Sequence, residues 1–284
     1  MVRVNETAFA KINLDLRVCG RRADGFHDLD SLVVFAETGD LLTFEPSDRL
    51  TLTIEGLFRE ALPNDDGNLV VRAAKALAHM TSRDANVRIT LDKTLPIASG
   101  LGGGSADAAA TLRGLCKLWD LRLSLADLAP LAQSLGADVS VCLGSSSVRM
   151  QGIGDRLTPM PSPAPLPMIL VNPGTAVSTP EVFRELTVNS GARAPISPVE
   201  ADCEPRIQFL DSVNDLEAPA IRIAPVIGLV LDTLRNQPGC VFARMSGSGA
   251  TCFALFDDLA ERERAVSALS ISNPSWWVTS TDIR

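Results

Sequence analysis

The chain has 284 residues, of which 46% are hydrophobic and 21% charged, so it can bury a large core and is not disordered. Its formal net charge of −8 argues against a nucleic-acid-binding protein, which would carry a basic surface. The first twenty residues lack the apolar core of a signal peptide and no apolar run is long enough to span a membrane, which predicts a cytoplasmic protein without a membrane partner.

The cysteines and histidines argue against a zinc site. Six cysteines are scattered along the chain without a CxxC pair, and there are only two histidines. We therefore expect reduced thiols, which is typical of the cytoplasm.

The first predicted element is a half-buried strand at "AFAKINLDL", residues 8–16. Its apolar residues share one face, while Lys11, Asn13 and Asp15 share the other. A solvated polar face is the simplest interpretation of this second face, and it points Lys11 and Asn13 in the same direction.

Strands and helices then follow without a regular βαβ rhythm, which predicts an α+β fold. Alternation predicts strands near residues 50–54 and 87–91, and helical spacing predicts a helix within residues 67–80. Ser124, with Asp127 in the first turn, predicts the start of a further helix. Gly136 fits the end of that helix.

A proline-rich stretch, residues 158–167, predicts a connector between two halves. We therefore predict two domains, residues 1–157 and residues 158–284. In the second domain, Thr179 followed by proline predicts a helix capped by the threonine, and residues 218–235 predict a long helical region.

The most unusual segment is "PIASGLGGGSA", residues 96–106, which has four glycines within five positions. A dinucleotide fingerprint fails in both registers, and no Gly-Lys-Ser/Thr follows for a P-loop. Unobstructed amides before a helix that starts at Ser105 favour an anion such as phosphate. An ordinary glycine turn is the alternative, but four glycines exceed what a turn requires.

The segment "PIASGLGGGSADAAA" resembles the central motif of the GHMP kinases, the family named for galactokinase, homoserine kinase, mevalonate kinase and phosphomevalonate kinase. The segments "AFAKINLDL" and "RMSGSGATCFALF" resemble its other two motifs, in the same order. The resemblance implies two α+β halves with the active site in the cleft between them, and it implies ATP and Mg²⁺ as cofactors.

Further segments resemble one branch of this family. They are "AKINLDLRVCGRRADGFHDLDSL", "LGADVSVCLG", "GIGDRLTPM" and "VNPGTAVSTPEVF". That branch phosphorylates a small-molecule alcohol bearing a cytidine diphosphate group, in the non-mevalonate isoprenoid pathway. The ATP-binding half is then residues 1–157.

The resemblance also implies a catalytic pair. Asp138 would take the proton from the substrate hydroxyl, and Lys11 would lie near it, keeping the carboxylate ionised and stabilising charge on the transferred group. A helix-capping role after Gly136 is the alternative for Asp138.

Substrate and nucleotide residues are assigned on the same resemblance. Asn13 would hydrogen-bond the substrate, Phe26 would stack on cytosine where the family usually has tyrosine, and His27 would read the polar edge of the base. Thr179 would contact the substrate, cap its helix, or do both. The expected nucleotide-binding residues are Asn68, Pro96, Ile97, Ala98, Ser99, Gly100, Leu101, Gly102, Gly103, Gly104, Ser105 and Ala106.

Three neighbouring features are less specific. The Ser105 hydroxyl is expected to meet a phosphate oxygen or its magnesium ion. Lys93 lies where adenine contacts are expected, although the sequence also fits a surface lysine. Gly247 and Gly249 would shape a turn beside the ligands or form a simple hairpin turn.

Two alternative functions stay open at this point. The chain could phosphorylate a different alcohol, such as mevalonate or homoserine, or it could be a catalytically silent relative that binds ligand as a sensor. The aromatic–histidine pair favours a cytidine-bearing substrate, and the intact Lys11 and Asp138 speak against a silent relative.

Overall fold

The computed structural model describes residues 2–161, 166–186 and 212–284. The strands in these ranges are β1 (Val4–Arg21), β2 (His27–Pro46), β3 (Thr51–Glu55), β4 (Val87–Asp92), β5 (Val148–Gly152), β6 (Arg156–Pro159), β7 (Pro167–Asn172), β8 (Cys240–Met245), β9 (Cys252–Phe256) and β10 (Trp277–Asp282). The α-helices are α1 (Leu69–Met80), α2 (Gly103–Leu118), α3 (Leu125–Leu135), α4 (Ala137–Leu143), α5 (Thr179–Glu185), α6 (Glu217–Ile223), α7 (Val226–Arg235) and α8 (Leu259–Ser272). A 3₁₀ helix covers Arg59–Ala61.

The chain divides into two compact units that are not continuous in sequence. The first unit comprises Met1–Ala10, Thr38–Ile97 and Gly102–Ser145, and the second comprises Lys11–Glu37, Ala98–Leu101 and Ser146–Arg284. Strands β1 and β2 each contribute residues to both units. The predicted domain boundary after residue 157 falls within β6 and stays a prediction.

In the first unit, helices pack on a small sheet. The end of β2 pairs antiparallel with β4, and β3 pairs parallel with β4. Helix α2 comes very close to β2, because a Cβ at Gly114 would lie 2.2 Å from Cε2 of Phe44. Only glycine permits this approach, so the sheet fixes the position of α2.

In the second unit, β10, β7, β9 and β8 form an antiparallel sheet in that order. Strand β9 is buried along its whole length, which explains its unbroken apolar sequence. Helix α7 covers the core with Ile227, Val230, Leu231 and Leu234, which recur at helical spacing. The start of β2 also pairs with β5, which pairs with β6.

Most predicted elements are confirmed, including the α+β class. Ser124 and Asp127 form a reciprocal capping box at the start of α3, and Gly136 ends that helix. The helical region expected at residues 218–235 consists of two helices, because Pro225 separates α6 from α7.

Three further observations concern the described residues alone. Five cysteines are free, and Cys203 lies outside the described ranges. Residues 162–165 of the predicted connector also lie outside them. Among the helices in these ranges, none has the length and apolar character needed to cross a membrane.

Candidate active site

The polar face of β1 is buried, so the expectation of a solvated face was wrong. Lys11, Asn13 and Asp15 are 5%, 0% and 5% exposed. The Lys11 Nζ donates to Asn13 Oδ1 at 3.1 Å, and Asn13 Nδ2 donates to Ser31 Oγ at 2.7 Å. Ser31 in turn donates to the carbonyl of Asp15 at 2.6 Å. Asn13 therefore holds Lys11 in a defined position.

The first part of the glycine loop is bonded to the same strand. The Lys11 amide donates to the carbonyl of Leu101 at 2.9 Å. The Ser246 hydroxyl accepts from the backbone N–H of Asn13 at 3.2 Å and donates to the carbonyl of Gly100 at 3.1 Å. Sequence reasoning missed Ser246, although it lies in the "SGSG" segment that carried part of the family resemblance.

The last part of the glycine loop is the start of α2. Gly102 has φ +64°, in the left-handed region that favours glycine, and the helix begins at Gly103, two residues earlier than predicted. Gly104 is exposed and Ser105 is half-buried. The first amides of a helix have no carbonyl partner within it and carry the positive end of its dipole. This turn therefore has the chemistry to hold an anion.

The side chains of the loop are not all accessible. The exposed or half-buried residues are Ile97, Ala98, Gly100, Gly102, Gly103, Gly104 and Ser105. Pro96, Ser99, Leu101 and Ala106 are buried. Any nucleotide contact in this loop therefore depends mainly on backbone groups and on Ser105.

Lys93 is buried, and the expectation of a surface lysine was wrong. Its Nζ lies 2.6 Å from a carboxylate oxygen of Asp40 and 2.6 Å from one of Asp107. Burial opposes the charge on Lys93, but the two carboxylates outweigh it and raise its pKa. Burial raises the pKa of Asp107 to about 7, against the opposing effect of Lys93.

Asn68 and a cavity at residues 56–60 both lie in the first unit. Asn68 is the N-cap of α1, because its side chain accepts from the Val70 amide at 2.9 Å. A cavity of about 450 Å³ is lined by residues 56–60. It adjoins the backbone of Lys93, whose carbonyl accepts from the Phe58 amide at 3.2 Å. Nothing in the sequence pattern indicated this cavity.

Asp138 lies in the first turn of α4 and is half-buried. The N-cap of that helix is Gly136, so the alternative of Asp138 as the cap was wrong. A carboxylate in the first turn is favoured by the helix dipole.

Arg113 fixes the other end of α4. Its guanidinium donates to the carbonyls of Cys142 and Leu143, at 3.1 and 3.2 Å, and to the carbonyl of Thr7 at 3.0 Å. It also pairs with Glu6 at 3.0 Å. Arg113 thus ties α4 to the start of β1. Sequence reasoning missed it, because its partners are distant in the chain.

The predicted base-recognition residues lie in the second unit. Phe26 is 62% exposed at the end of a turn in which the Arg22 amide donates to the Phe26 carbonyl. His27 stacks on Phe183 of α5, with ring centroids 4.9 Å apart. Burial lowers the pKa of His27, and the charge of Arg21 lowers it further, so the neutral imidazole is favoured.

Thr179 lies one turn before Phe183 on α5, so the two share a face of that helix. The N-cap is Ser178, and the prediction that Thr179 caps the helix was wrong by one residue. The Thr179 hydroxyl instead lies 2.6 Å from that of Ser248. Thr179 and Phe183 therefore share one face of α5, and His27 stacks on Phe183 at that face. Sequence reasoning missed Phe183.

Three comparisons with known proteins identify the family. The family model described as GHMP kinases N terminal domain matches residues 68–146, and the model described as GHMP kinases C terminal matches residues 205–274. A 4-diphosphocytidyl-2-C-methyl-D-erythritol kinase of Rhodospirillum rubrum is 48% identical, covering 97% of this chain and 91% of its own length. One of Parvibaculum lavamentivorans is 46% identical, covering 97% and 96%.

A solved structure agrees with the sequence relatives. The crystal structure of a 4-(cytidine 5'-diphospho)-2C-methyl-D-erythritol kinase matches with a TM-score of 0.83 and 33% identity, covering 98% of each chain. The fold predicted from the sequence is thereby confirmed. The chain belongs to the GHMP kinase family, and the relatives that it matches over nearly its whole length are 4-diphosphocytidyl-2-C-methyl-D-erythritol kinases.

Proposed function

We propose that this protein transfers the γ-phosphoryl group of ATP to the 2-hydroxyl of 4-diphosphocytidyl-2-C-methyl-D-erythritol, a step of the non-mevalonate isoprenoid pathway. The observation that carries the proposal is 48% identity over 97% of the chain to a kinase named for this substrate. The buried, bonded Lys11 and the open start of α2 support it, because both suit phosphoryl transfer. We expect this reaction in the cytoplasm, which stays a prediction.

In this reaction the substrate oxygen attacks the γ-phosphorus, and its proton passes to the carboxylate of Asp138. The bond between the γ-phosphorus and the oxygen bridging to the β-phosphate breaks, which releases ADP. Lys11 would stabilise the charge that develops on the transferred group. The hydrogen bond from Lys11 to Asn13 supports this role, because the ammonium is held before the ligands arrive.

The amides of Gly103, Gly104 and Ser105 would hold the phosphates of ATP. The cavity at residues 56–60, with Asn68 in the same unit, would take the adenine.

Mg²⁺ would enter with ATP and supply neutralising charge to the phosphates. Among the described residues no cluster of three or more His, Cys, Asp or Glu side chains could hold a metal ion by itself. This fits an ion whose ligands come largely from the nucleotide, with the Ser105 hydroxyl as the residue we propose on the protein.

Substrate recognition would use the residues of the second unit. The exposed ring of Phe26 is available to stack on cytosine. A neutral His27 has one donor and one acceptor nitrogen, which can pair with the mixed donor and acceptor edge of the base. Thr179 would contact the substrate beside them. Because Asn13 is fully buried, its contact with the substrate stays a prediction.

The test is kinase turnover with ATP across a panel of alcohols: the cytidine-bearing substrate, mevalonate and homoserine. We expect turnover with the first and little with the other two. Preference for an alcohol without cytosine would contradict the substrate assignment, and binding without turnover of any alcohol would indicate a silent relative.

The catalytic base is tested by Asp138→Asn. We expect kcat to fall by about 10³-fold or more, while the affinity for ATP stays nearly unchanged, since loss of a general base removes a transition-state interaction. Asp127→Asn is a matched control, because Asp127 also lies in the first turn of a helix but only caps it. Full turnover by folded Asp138→Asn protein would show that another group takes the proton.

A further inference from the structure

A buried ion cluster joins the two ends of the glycine loop. Lys93 directly follows β4, three residues before Pro96, and Asp107 lies three residues after Gly104. The Lys93 Nζ is 2.6 Å from Asp107 Oδ2, and the two side chains are each 2% exposed. The pair therefore bridges residues 94–106, which include residues 96–106, the segment predicted to bind nucleotide.

Asp40 extends the cluster to the backbone that enters the loop. Its Oδ2 lies 2.6 Å from the Lys93 Nζ. Its Oδ1 accepts from the amides of Thr94 and Leu95 at 2.7 and 2.8 Å. One fully buried carboxylate thus holds both the lysine and the two residues that follow it.

The start of α2 lies directly on the ammonium group. A Cβ at Gly103 would be 3.1 Å from the Lys93 Nζ and 3.8 Å from Asp40 Oδ2. The Lys93 ammonium is held by two carboxylates, each at 2.6 Å, so it is not available to a phosphate. Its contacts instead fix where the helix, and with it the open amides, begins.

Burying this cluster has an unfavourable effect on the free energy of folding. Two carboxylates share a single ammonium, and among the described residues Asp107 Oδ1 is buried without a hydrogen-bond partner. Apolar residues of similar volume often replace a buried ion pair without loss of stability. A role in stability alone therefore explains the cluster poorly. A role in positioning the loop explains why both ends of the loop meet there.

We propose that Asp40, Lys93 and Asp107 form a clasp that holds the two ends of the glycine loop at the separation that ATP binding requires. They are positioning residues that act through the backbone of the loop. The inference rests on the proposed function, because it takes the loop to be the ATP site. Without the clasp, the loop would become ordered only when ATP binds. The conformational entropy lost in that ordering would weaken the affinity for ATP.

The test compares Asp107→Leu with Asp107→Asn. Asp107→Leu removes the link across the loop but leaves Lys93 paired with Asp40, so no buried charge is left without a partner. Asp107→Asn keeps an oxygen that can accept from Lys93. For Asp107→Leu we expect the Kd of a non-hydrolysable ATP analogue and the KM for ATP to rise about tenfold, with kcat and the KM for the alcohol nearly unchanged. Asp107→Asn should stay within about threefold of the original protein.

A control and a second measurement make the outcome decisive. Lys117→Met removes an ion pair at the far end of α2 and should leave ATP affinity unchanged. Hydrogen exchange of the amides of residues 98–106, without ligand, should be faster in Asp107→Leu than in Asp107→Asn. Should Asp107→Leu fail to fold, Asp40→Asn/Lys93→Met/Asp107→Leu replaces the whole cluster by uncharged side chains and gives the same comparison, while the asparagine side chain at position 40 keeps an oxygen for the amides of Thr94 and Leu95.

Original affinity for ATP together with original exchange rates in the folded variant would overturn the clasp. Failure of the proposed function would look different, because the unaltered protein would bind no ATP analogue. The exchange rates would still show in that case whether the clasp orders the loop.

Discussion

Two turns rich in glycine and serine look alike in sequence but differ in structure. The turn between β8 and β9, Ser246–Gly249, is buried throughout. The turn at the start of α2, Gly102–Ser105, is half-buried with an exposed Gly104. The first turn is filled by the protein itself, and the second is open to solvent.

The filled turn is held by other parts of the second unit. Asn214 Nδ2 donates to the carbonyls of Met245 and Gly247, each at 2.8 Å. Gly100 lies so close that its own Cβ would be 2.3 Å from the carbonyl oxygen of Ser246. In this turn glycine lets backbone segments meet, whereas at the start of α2 a side chain on Gly104 would meet only Leu69. Glycine content alone does not distinguish these two uses.

Substitution of Gly100 should have the largest effect on the filled turn. Gly100 has φ +79°, and a methyl group there would strike the backbone of Ser246. We expect Gly100→Ala to lower the free energy of unfolding by about 3 kcal/mol, from backbone strain and overpacking together. Urea unfolding measures this. A variant as stable as the original would show that the turn is looser than its contacts indicate.

Removing the Ser246 hydroxyl should have a smaller effect. It would leave the Asn13 amide and the Gly100 carbonyl without their present partner in a buried region. We expect Ser246→Ala to cost about 2 kcal/mol of unfolding free energy, the range for a buried polar group left unsatisfied. Ser267→Ala is a suitable control, because that hydroxyl donates to the carbonyl of Glu263 on the exposed face of α8. Equal costs for the two variants would contradict the bonding role of Ser246.

The open turn should respond in the opposite way. A Cβ at Gly104 would meet only Leu69 Cδ1, at an ordinary 3.9 Å. We expect Gly104→Ala to raise the unfolding free energy by about 0.5 kcal/mol, because alanine favours a helix. The KM for ATP should nevertheless rise about tenfold, because the methyl group narrows the approach to the amides. A stable variant with an unchanged KM would show that the turn does not receive the phosphates.

The sequence predicted those parts of the fold that depend on local signals. The alternation in β1 and the Ser124–Asp127 capping box involve residues within a few positions of one another, so the pattern suffices. The alternation in β1 also placed Lys11 and Asn13 on one face of that strand. It did not show that this face is buried, because the residues that cover it, such as Ser31 and Ser246, are distant in the chain.

The same limit explains why the burial of Lys93 and the bonding role of Arg113 were not predicted. Lys93 fits a surface lysine until Asp40, 53 residues away, is known to lie beside it. Arg113 shows no distinguishing pattern, because three of its partners are backbone carbonyls. The open or filled state of a glycine turn likewise depends on what packs against it, which composition does not encode.

The most direct test of the central claim, that the open turn receives ATP, is a titration with a non-hydrolysable ATP analogue followed by amide NMR. The account predicts large shifts for the amides of Gly102 to Ser105 and much smaller shifts for those of Ser246 to Gly249. Saturable binding that leaves the amides of Gly102 to Ser105 unperturbed would contradict it.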